Sequence, residues 1–219
     1  MRCLLLAAVL AMSARLFAVD PITEGQSIRD AVAIGQSSIA SERTRFQQVY
    51  RVAVAKAPVD YLEIVTPFRR VELAAEEHAA SGDRTFGEKH GRETLAGSDR
   101  LDVIVELTFH PMNTFVGVPD YLVQLVPVGD GAAIEPVAIE RVPRFGARME
   151  GRTSPIPLTT VPTRKGPGQP VLGGTVIAHF DTHLVDGARS YDVVIGDRAA
   201  GQARVTELAR ARIDLARMR

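Results

Sequence analysis

Cysteine, tryptophan and the other aromatic residues are scarce in this chain. Its 219 residues include one cysteine, Cys3, and no tryptophan, and aromatic residues make up 5% of the sequence. A single cysteine forms no internal disulfide and no cluster of thiolate metal ligands. So few aromatic rings argue against a stacking platform for sugars or nucleic-acid bases.

The familiar catalytic motifs are also missing. The chain has no Gly-x-Ser-x-Gly nucleophile elbow, no Gly-x-x-x-x-Gly-Lys-Ser/Thr phosphate loop and no His-Glu-x-x-His pair. Catalytic groups that are scattered in sequence can still meet in a fold. The absence of these motifs therefore favours a protein that is not an enzyme without deciding the question.

Charge of one sign is lacking as well. Lys and Arg total 26, and Asp and Glu total 26. A nucleic-acid-binding protein needs a basic face, and a balanced composition gives no reason to expect one. We therefore predict no nucleic-acid partner.

The first 18 residues have the layout of a secretory signal peptide. A positive start at Arg2 precedes an apolar run from Cys3 to Ala14, and Ala18 supplies a small residue for cleavage. The run is short for a bilayer of about 30 Å, and no later apolar run is long enough to span one. We expect a secreted or periplasmic protein whose mature chain lacks Cys3 and has no membrane span.

Hydrophobic periodicity predicts one helix followed by a series of strands. Residues 23–45 show a narrow apolar stripe at helical spacing after a capping-box pattern at 27–30, so 19–46 is predicted to be a helical segment. From residue 47 the period changes to two, most clearly over 101–110, where Leu101, Val103 and Val105 alternate with polar residues. Further strands are predicted at 121–128, 134–142, 174–184 and 191–195, with turn signals between several of them.

Two segments are ambiguous between helix and strand. Residues 66–82 have Thr66 as an N-cap, Pro67 at the first helical position and an Ala/Glu-rich body, which favours a helix over a continued strand. Residues 203–215 alternate as a strand would but contain helix formers; the turn signal at Gly196-Asp197 favours a final strand.

Antiparallel strands without regular βαβ alternation predict a mainly β fold. We expect an antiparallel β-sandwich of immunoglobulin-like architecture over 47–219, with the short N-terminal helix and one further helix. Within it, residues 143–170 hold six of the 13 prolines and read as a long extended loop. Long loops in compact domains often carry function, so this one is a candidate binding element.

One strand carries a candidate metal site. On a strand that continues through 174–184, His179, Asp181 and His183 lie on the same face, and these are ligand types that Zn²⁺ and Cu²⁺ accept. The alternative is that they form the water-facing side of an ordinary antiparallel strand, which needs no metal and no other cofactor.

A second candidate site is basic. Arg141, Arg144, Arg148 and Arg152 gather at the start of the proline-rich loop and could contact an acidic partner or a phosphate-bearing glycolipid. Glu140 and Glu150 lie among them, which is the pattern of an ordinary mixed-charge loop.

Three functional hypotheses follow. The first is an exported, non-catalytic binding or accessory protein of the cell envelope that contacts an envelope protein or a glycan. The second is a metal-binding protein or metal-dependent hydrolase that uses His179, Asp181 and His183. The third is a structural envelope protein that self-associates through an edge strand.

Overall fold

The computed structural model describes residues 25–97, 100–146, 171–197 and 206–218. The predicted signal peptide at 1–18, most of the proline-rich loop, and Arg148 and Arg152 lie outside these residues. Within them, the protein is mainly β, with antiparallel sheets. None of the helices in these ranges is long and apolar enough to cross a membrane.

The described residues form four α-helices and eight β-strands. The helices are α1 (Gly25–Gly35), α2 (Ala40–Gln47), α3 (Pro67–Ala80) and α4 (Glu88–Leu95). The strands are β1 (Arg51–Lys56), β2 (Val59–Val65), β3 (Arg100–Thr108), β4 (Tyr121–Pro127), β5 (Ala138–Phe145), β6 (Val171–Asp181), β7 (Ser190–Asp197) and β8 (Thr206–Asp214). Short 3₁₀ turns follow β6 at Thr182–Leu184 and β8 at Leu215–Arg217.

The strands form two antiparallel sheets. The larger has the order β1-β2-β3-β6-β5, and the smaller has the order β4-β7-β8. One face of each contributes to a single apolar cluster, because alternate residues of each strand point to the same side. The members from β3 are Leu101, Val103, Val105 and Leu107, and they are joined by Val123, Val193 and Ile213 from the smaller sheet. The predicted alternation over 101–110 is therefore confirmed.

Three helices pack together through a second, smaller cluster. Its centre is formed by Ile28, Val32, Phe68, Val71 and Phe86. Helix α3 begins as predicted: the Thr66 hydroxyl oxygen accepts a hydrogen bond from the Arg69 backbone N–H at 3.2 Å, and Pro67 is the first helical residue. The helix interpretation of 66–82 is thus confirmed, and so is the strand interpretation of 203–215 for its described part.

The N-terminal helical segment differs from the prediction. It is broken into α1 and α2, and Ser27 lies inside α1 rather than capping it. Gly35, the last residue of α1, lies so close to α3 that an added Cβ would overlap the Glu72 carbonyl oxygen and come within 2.8 Å of the Ala75 Cβ. The helix therefore ends where it makes its closest approach to α3, and Ile39 lies beyond it with half of its surface exposed.

The structure corrects three further boundaries. Residues 88–95, for which the hydrophobic pattern predicts no helix, form α4; the buried residue of this helix is Gly91, so no apolar stripe marks it in sequence. The strand predicted at 134–142 lies at 138–145 and includes Pro143. Strand β6 ends at Asp181, so the predicted strand over 174–184 is wrong for its last three residues.

Candidate functional site

The predicted metal-site residue His179 lies in a buried cluster of charged groups. Its ring Nδ1 is 2.7 Å from Asp102 Oδ1, and its Nε2 is 3.1 Å from Glu140 Oε1. Strands β3 and β6 place Asp102 directly opposite His179, and β5 brings Glu140 to its other side. Asp102 Oδ2 also accepts a hydrogen bond from Arg70 Nη2 on α3 at 2.7 Å. The two nitrogens of the imidazole are thus both occupied by carboxylates.

Asp181 and His183 do not join this cluster. The Asp181 carboxylate accepts a hydrogen bond from the His183 backbone N–H at 2.8 Å and so caps the 3₁₀ turn that follows β6. His183 lies in that turn with its side chain exposed. The expectation that all three side chains share one strand face is wrong for His183. Over the described ranges, no three His, Cys, Asp or Glu side chains are arranged to hold a metal ion.

The two described arginines of the predicted basic site are each paired with an acid. Arg141 forms an ion pair with Asp120 and donates to the Tyr121 carbonyl at 3.1 Å. Arg144 lies 2.8 Å from Glu106 Oε1 and donates to the Leu107 carbonyl at 3.0 Å. Since their charge is compensated locally, these two side chains fix β5 against the neighbouring segments and offer little net attraction to an acidic partner.

An exposed apolar surface lies at the end of β5 and the start of β6. We call it the apolar end; its members are Met112, Phe115, Val116, Phe145 and Leu172. Val116 is 95% exposed and Met112 is 83% exposed. The segment before β4 is held against this end, because the Asn113 side-chain amide donates to the Val171 carbonyl at 2.9 Å and the Phe115 ring lies 4.9 Å from that of Phe109. Phe145 pairs with Val171 in the sheet, which places its side chain at the same end.

A polar groove lies at the opposite edge of the larger sheet. We call it the α2–α3 groove; it runs over β1 and β2 between the two helices, and Gln47, Arg51, Tyr61, Glu63, Arg69 and Glu76 are among the residues that line it. Its volume is ≈ 700 Å³. Small-molecule sites commonly enclose about 300–1,000 Å³. The groove is therefore large enough to hold a small ligand.

A buried ion pair lies at the base of this groove. Arg69 is 4% exposed and its guanidinium is paired with Glu72, which is fully buried, and with Glu63 at 3.1 Å. Burial raises the pKa of Glu72, and the neighbouring Arg69 charge and hydrogen bond oppose that rise. Arg69 Nε and Glu72 Oε1 are buried and have no hydrogen-bond partner among the described residues. Buried polar atoms without a partner are uncommon in folded proteins.

The sequence contains one indication of the Arg69–Glu72 ion pair. Phe68, Val71 and Ala75 form the buried stripe of α3, and Glu72 falls on the same stripe at helical spacing. A carboxylate in an apolar stripe needs a partner, and Arg69 one turn away supplies it. By contrast, nothing in the sequence indicates that Asp102 lies opposite His179, because strand register over a separation of 77 residues depends on the whole sheet.

Comparisons with other proteins identify no relative. The chain matches no protein-family model, no curated protein and no solved structure. The structure is that of a mainly β protein with two antiparallel sheets and a packed group of helices. Its function is therefore inferred from its own surfaces.

Proposed function

We propose that this chain is an exported, non-catalytic binding or accessory protein of the cell envelope, and that it captures an envelope protein at the apolar end. The observation that carries the proposal is the exposure of five large apolar side chains in the segments that meet at the end of β5 and the start of β6: Met112, Phe115, Val116, Phe145 and Leu172. Exposed apolar clusters on folded proteins commonly mark sites of protein contact. The chain leaves β5 at Phe145 and enters β6 at Val171 at this same end. We propose that the intervening residues of the predicted 143–170 loop contribute to the contact.

Side-chain capture is better supported than strand addition. Strand β5 is an edge of the larger sheet and could in principle accept a further strand. It contains Pro143, which has no backbone N–H and interrupts the donors along that edge. The same feature argues against self-association of a structural protein through the β5 edge. A mass that does not change with protein concentration in solution would support this distinction.

The test compares capture by three proteins. The wild-type mature chain, the Met112→Asp/Val116→Asp variant and the Val137→Asp variant are used in cross-linking against the envelope fraction. Val137 is 67% exposed but precedes the other end of β5, so its variant is a matched control. We expect one envelope protein to be captured by the wild type and the control and lost in the double variant. Equal capture by all three would overturn the assignment.

A shortened loop tests the second part of the proposal. Replacing residues 147–170 by a short Gly/Ser linker keeps the β5–β6 pairing, which ends at Phe145 and Val171. Loss of capture with an unchanged unfolding curve is the expected result. Unchanged capture would assign the contact to the apolar end alone.

We also propose that the two sheets form a β-sandwich of the immunoglobulin-like type. The shared apolar cluster to which both sheets contribute supports the layered arrangement. An experimental structure that separates the sheets or closes them into one barrel would overturn it.

A further inference from the structure

The α2–α3 groove is lined mostly by residues with hydrogen-bonding groups, and the apolar stems of those side chains add apolar surface to it. Nine of its eleven lining residues carry a polar or charged side chain or a phenolic hydroxyl, and the other two are Ala53 and Leu73. Both donors and acceptors are present, since arginine and glutamine side chains face carboxylates across the groove. A ligand that only stacks or only packs would leave these groups unsatisfied.

Most of the charges in the groove are already compensated. Glu63 lies 3.1 Å from Arg69 Nη2 and 3.9 Å from Arg51 Nη2. On the α2 side, Glu76 is 3.3 Å from Arg43 Nε and accepts a hydrogen bond from the Gln47 amide at 3.0 Å. An anionic ligand would have to break one of these pairs to gain a partner. The remaining carboxylate, Asp60, accepts a hydrogen bond from the Thr108 hydroxyl at 2.6 Å, so the groove does not favour an anion.

These ion pairs also hold the polar groups in place and leave some of their hydrogen-bond donors and acceptors unused. A guanidinium has five N–H donors and a carboxylate has about four acceptor positions, so each group keeps some after its ion pair is made. Arg69 Nε at the base has no partner among the described residues. A hydroxyl group both donates and accepts, so one hydroxyl in the groove could accept from the exposed Arg51 guanidinium and donate to the neighbouring Glu63.

We propose that the α2–α3 groove is a binding site for a neutral carbohydrate. Several adjacent hydroxyls on one rigid ring match a fixed set of mixed donors and acceptors, and a neutral ring does not compete for the ion pairs. Recognition would rest on hydrogen bonds, consistent with the scarcity of aromatic rings in the chain. The groove and the apolar end lie at opposite edges of the larger sheet, so this site is separate from the proposed protein contact.

The experiment is an NMR titration of the full mature chain with four neutral disaccharides: maltose, cellobiose, lactose and N,N′-diacetylchitobiose. Each is raised to about 20 mM, which detects dissociation constants in the millimolar range. We expect at least one sugar to shift the Gln47 side-chain amide and the Arg69 Nε–H signals. Gln47→Ala and Arg51→Gln should each weaken binding about tenfold, the effect of losing one or two hydrogen bonds.

The controls distinguish this site from others. Arg51 is largely exposed and Gln47 lies on a helix without buried residues, so both variants should keep the fold. Arg212→Gln removes a comparable ion pair, 2.9 Å from Asp192 on the smaller sheet, and should bind the sugar like the wild type. Three results would overturn the proposal: no shift with any sugar, tighter binding of succinate or lysine at the same signals, or unchanged sugar affinity in both groove variants.

Discussion

His179 and Asp102 face each other across β6 and β3, with the ring Nδ1 2.7 Å from the carboxylate Oδ1. The same carboxylate binds Arg70 of α3, so it connects the sheet to the helices that pack beside it. On the far side of the ring, Glu140 of the edge strand lies 3.1 Å away. The cluster therefore links three adjacent strands and one helix through a single imidazole and a single buried carboxylate.

Removing the Asp102 carboxylate should lower the free energy of unfolding far more than removing the Glu140 carboxylate. We expect Asp102→Ala to lower the free energy of unfolding by about 3 kcal/mol, because it takes away the buried carboxylate that pairs with His179, Arg70 and Arg100. Glu140→Gln should cost less than about 1 kcal/mol, since the Glu140 side chain is 62% exposed. Urea unfolding of both variants measures the difference. Equal losses would show that the cluster is not centred on Asp102.

Gly35 should not tolerate a methyl group. Alanine favours a helix over glycine by about 1 kcal/mol. At Gly35, however, a Cβ would overlap the Glu72 carbonyl oxygen and crowd the Ala75 side chain. We expect Gly35→Ala to destabilise the protein by about 1–3 kcal/mol, the usual range for overpacking. Gly117→Ala, where no atom lies within 4 Å of the added Cβ, is the control and should be neutral. A stabilising Gly35→Ala would mean that α1 and α3 can separate at little cost.

The local alternation of apolar residues predicted the strands. The helix boundaries depend on contacts between residues that are far apart in sequence. Leu101, Val103 and Val105 needed only a period of two to be assigned to one face. The residue at the end of α1 is constrained instead by α3, because the Glu72 backbone leaves no room for a side chain at position 35. Helix α4 was missed for a related reason: its contact with α1 is made by Gly91, and a glycine adds nothing to a hydrophobic pattern.

In the candidate sites, too, the local sequence predicted individual residues but not their partners in the fold. The sequence identified His179 as a residue of interest but supplied the wrong neighbours. Asp181 caps the turn at the end of the strand and His183 lies beyond it, while Asp102 and Glu140 arrive from other strands. The sequence pattern of Arg141 and Arg144 fits either a site for an acidic partner or a mixed-charge loop. Tertiary contacts with Asp120 and Glu106 compensate the two charges. Partners across a sheet depend on register, which local sequence does not specify.

The turn after α3 should make stability depend on pH in acid. Hydrogen bonds from the Thr85 hydroxyl and backbone N–H, and then from His78, lower the pKa of Asp83 from 3.8 to about 2. Because the folded-state pKa is the lower one, this contribution to stability is present above the unfolded pKa of 3.8 and is lost as the pH falls toward 2. We expect Asp83→Asn to unfold with a weaker dependence on pH over that window.

Two variants separate the causes of the lowered pKa of Asp83. Thr85→Val removes the hydroxyl that contributes most to lowering the Asp83 pKa, and His78→Gln removes a smaller contribution. The pKa of Asp83, followed by NMR of its carboxyl carbon, should therefore rise more in Thr85→Val than in His78→Gln. A larger rise in the histidine variant would assign the effect to the imidazole.

The buried Arg69–Glu72 pair should be dispensable for stability only as a pair. Arg69→Met alone leaves the fully buried Glu72 without its guanidinium and should cost about 3–5 kcal/mol. Arg69→Met together with Glu72→Leu removes both charges, and buried pairs replaced in this way often leave stability unchanged or raised. Chemical denaturation of the two variants and the wild type gives the comparison. A double variant as unstable as the single one would show that the charges are needed for the fold itself.

Metal content tests the remaining hypothesis for His179, Asp181 and His183. Both nitrogens of His179 are engaged by carboxylates, and Asp181 caps the turn that carries His183 away from the strand. A metal ion would have to displace Asp102 or Glu140 from the ring, at the cost of the buried cluster. We therefore expect elemental analysis of the untagged mature protein to find zinc and copper far below one ion per chain. The His179→Ala/His183→Ala variant should give the same value. One ion per chain in the wild type, lost in that variant, would contradict the expectation and revive the metal-dependent function.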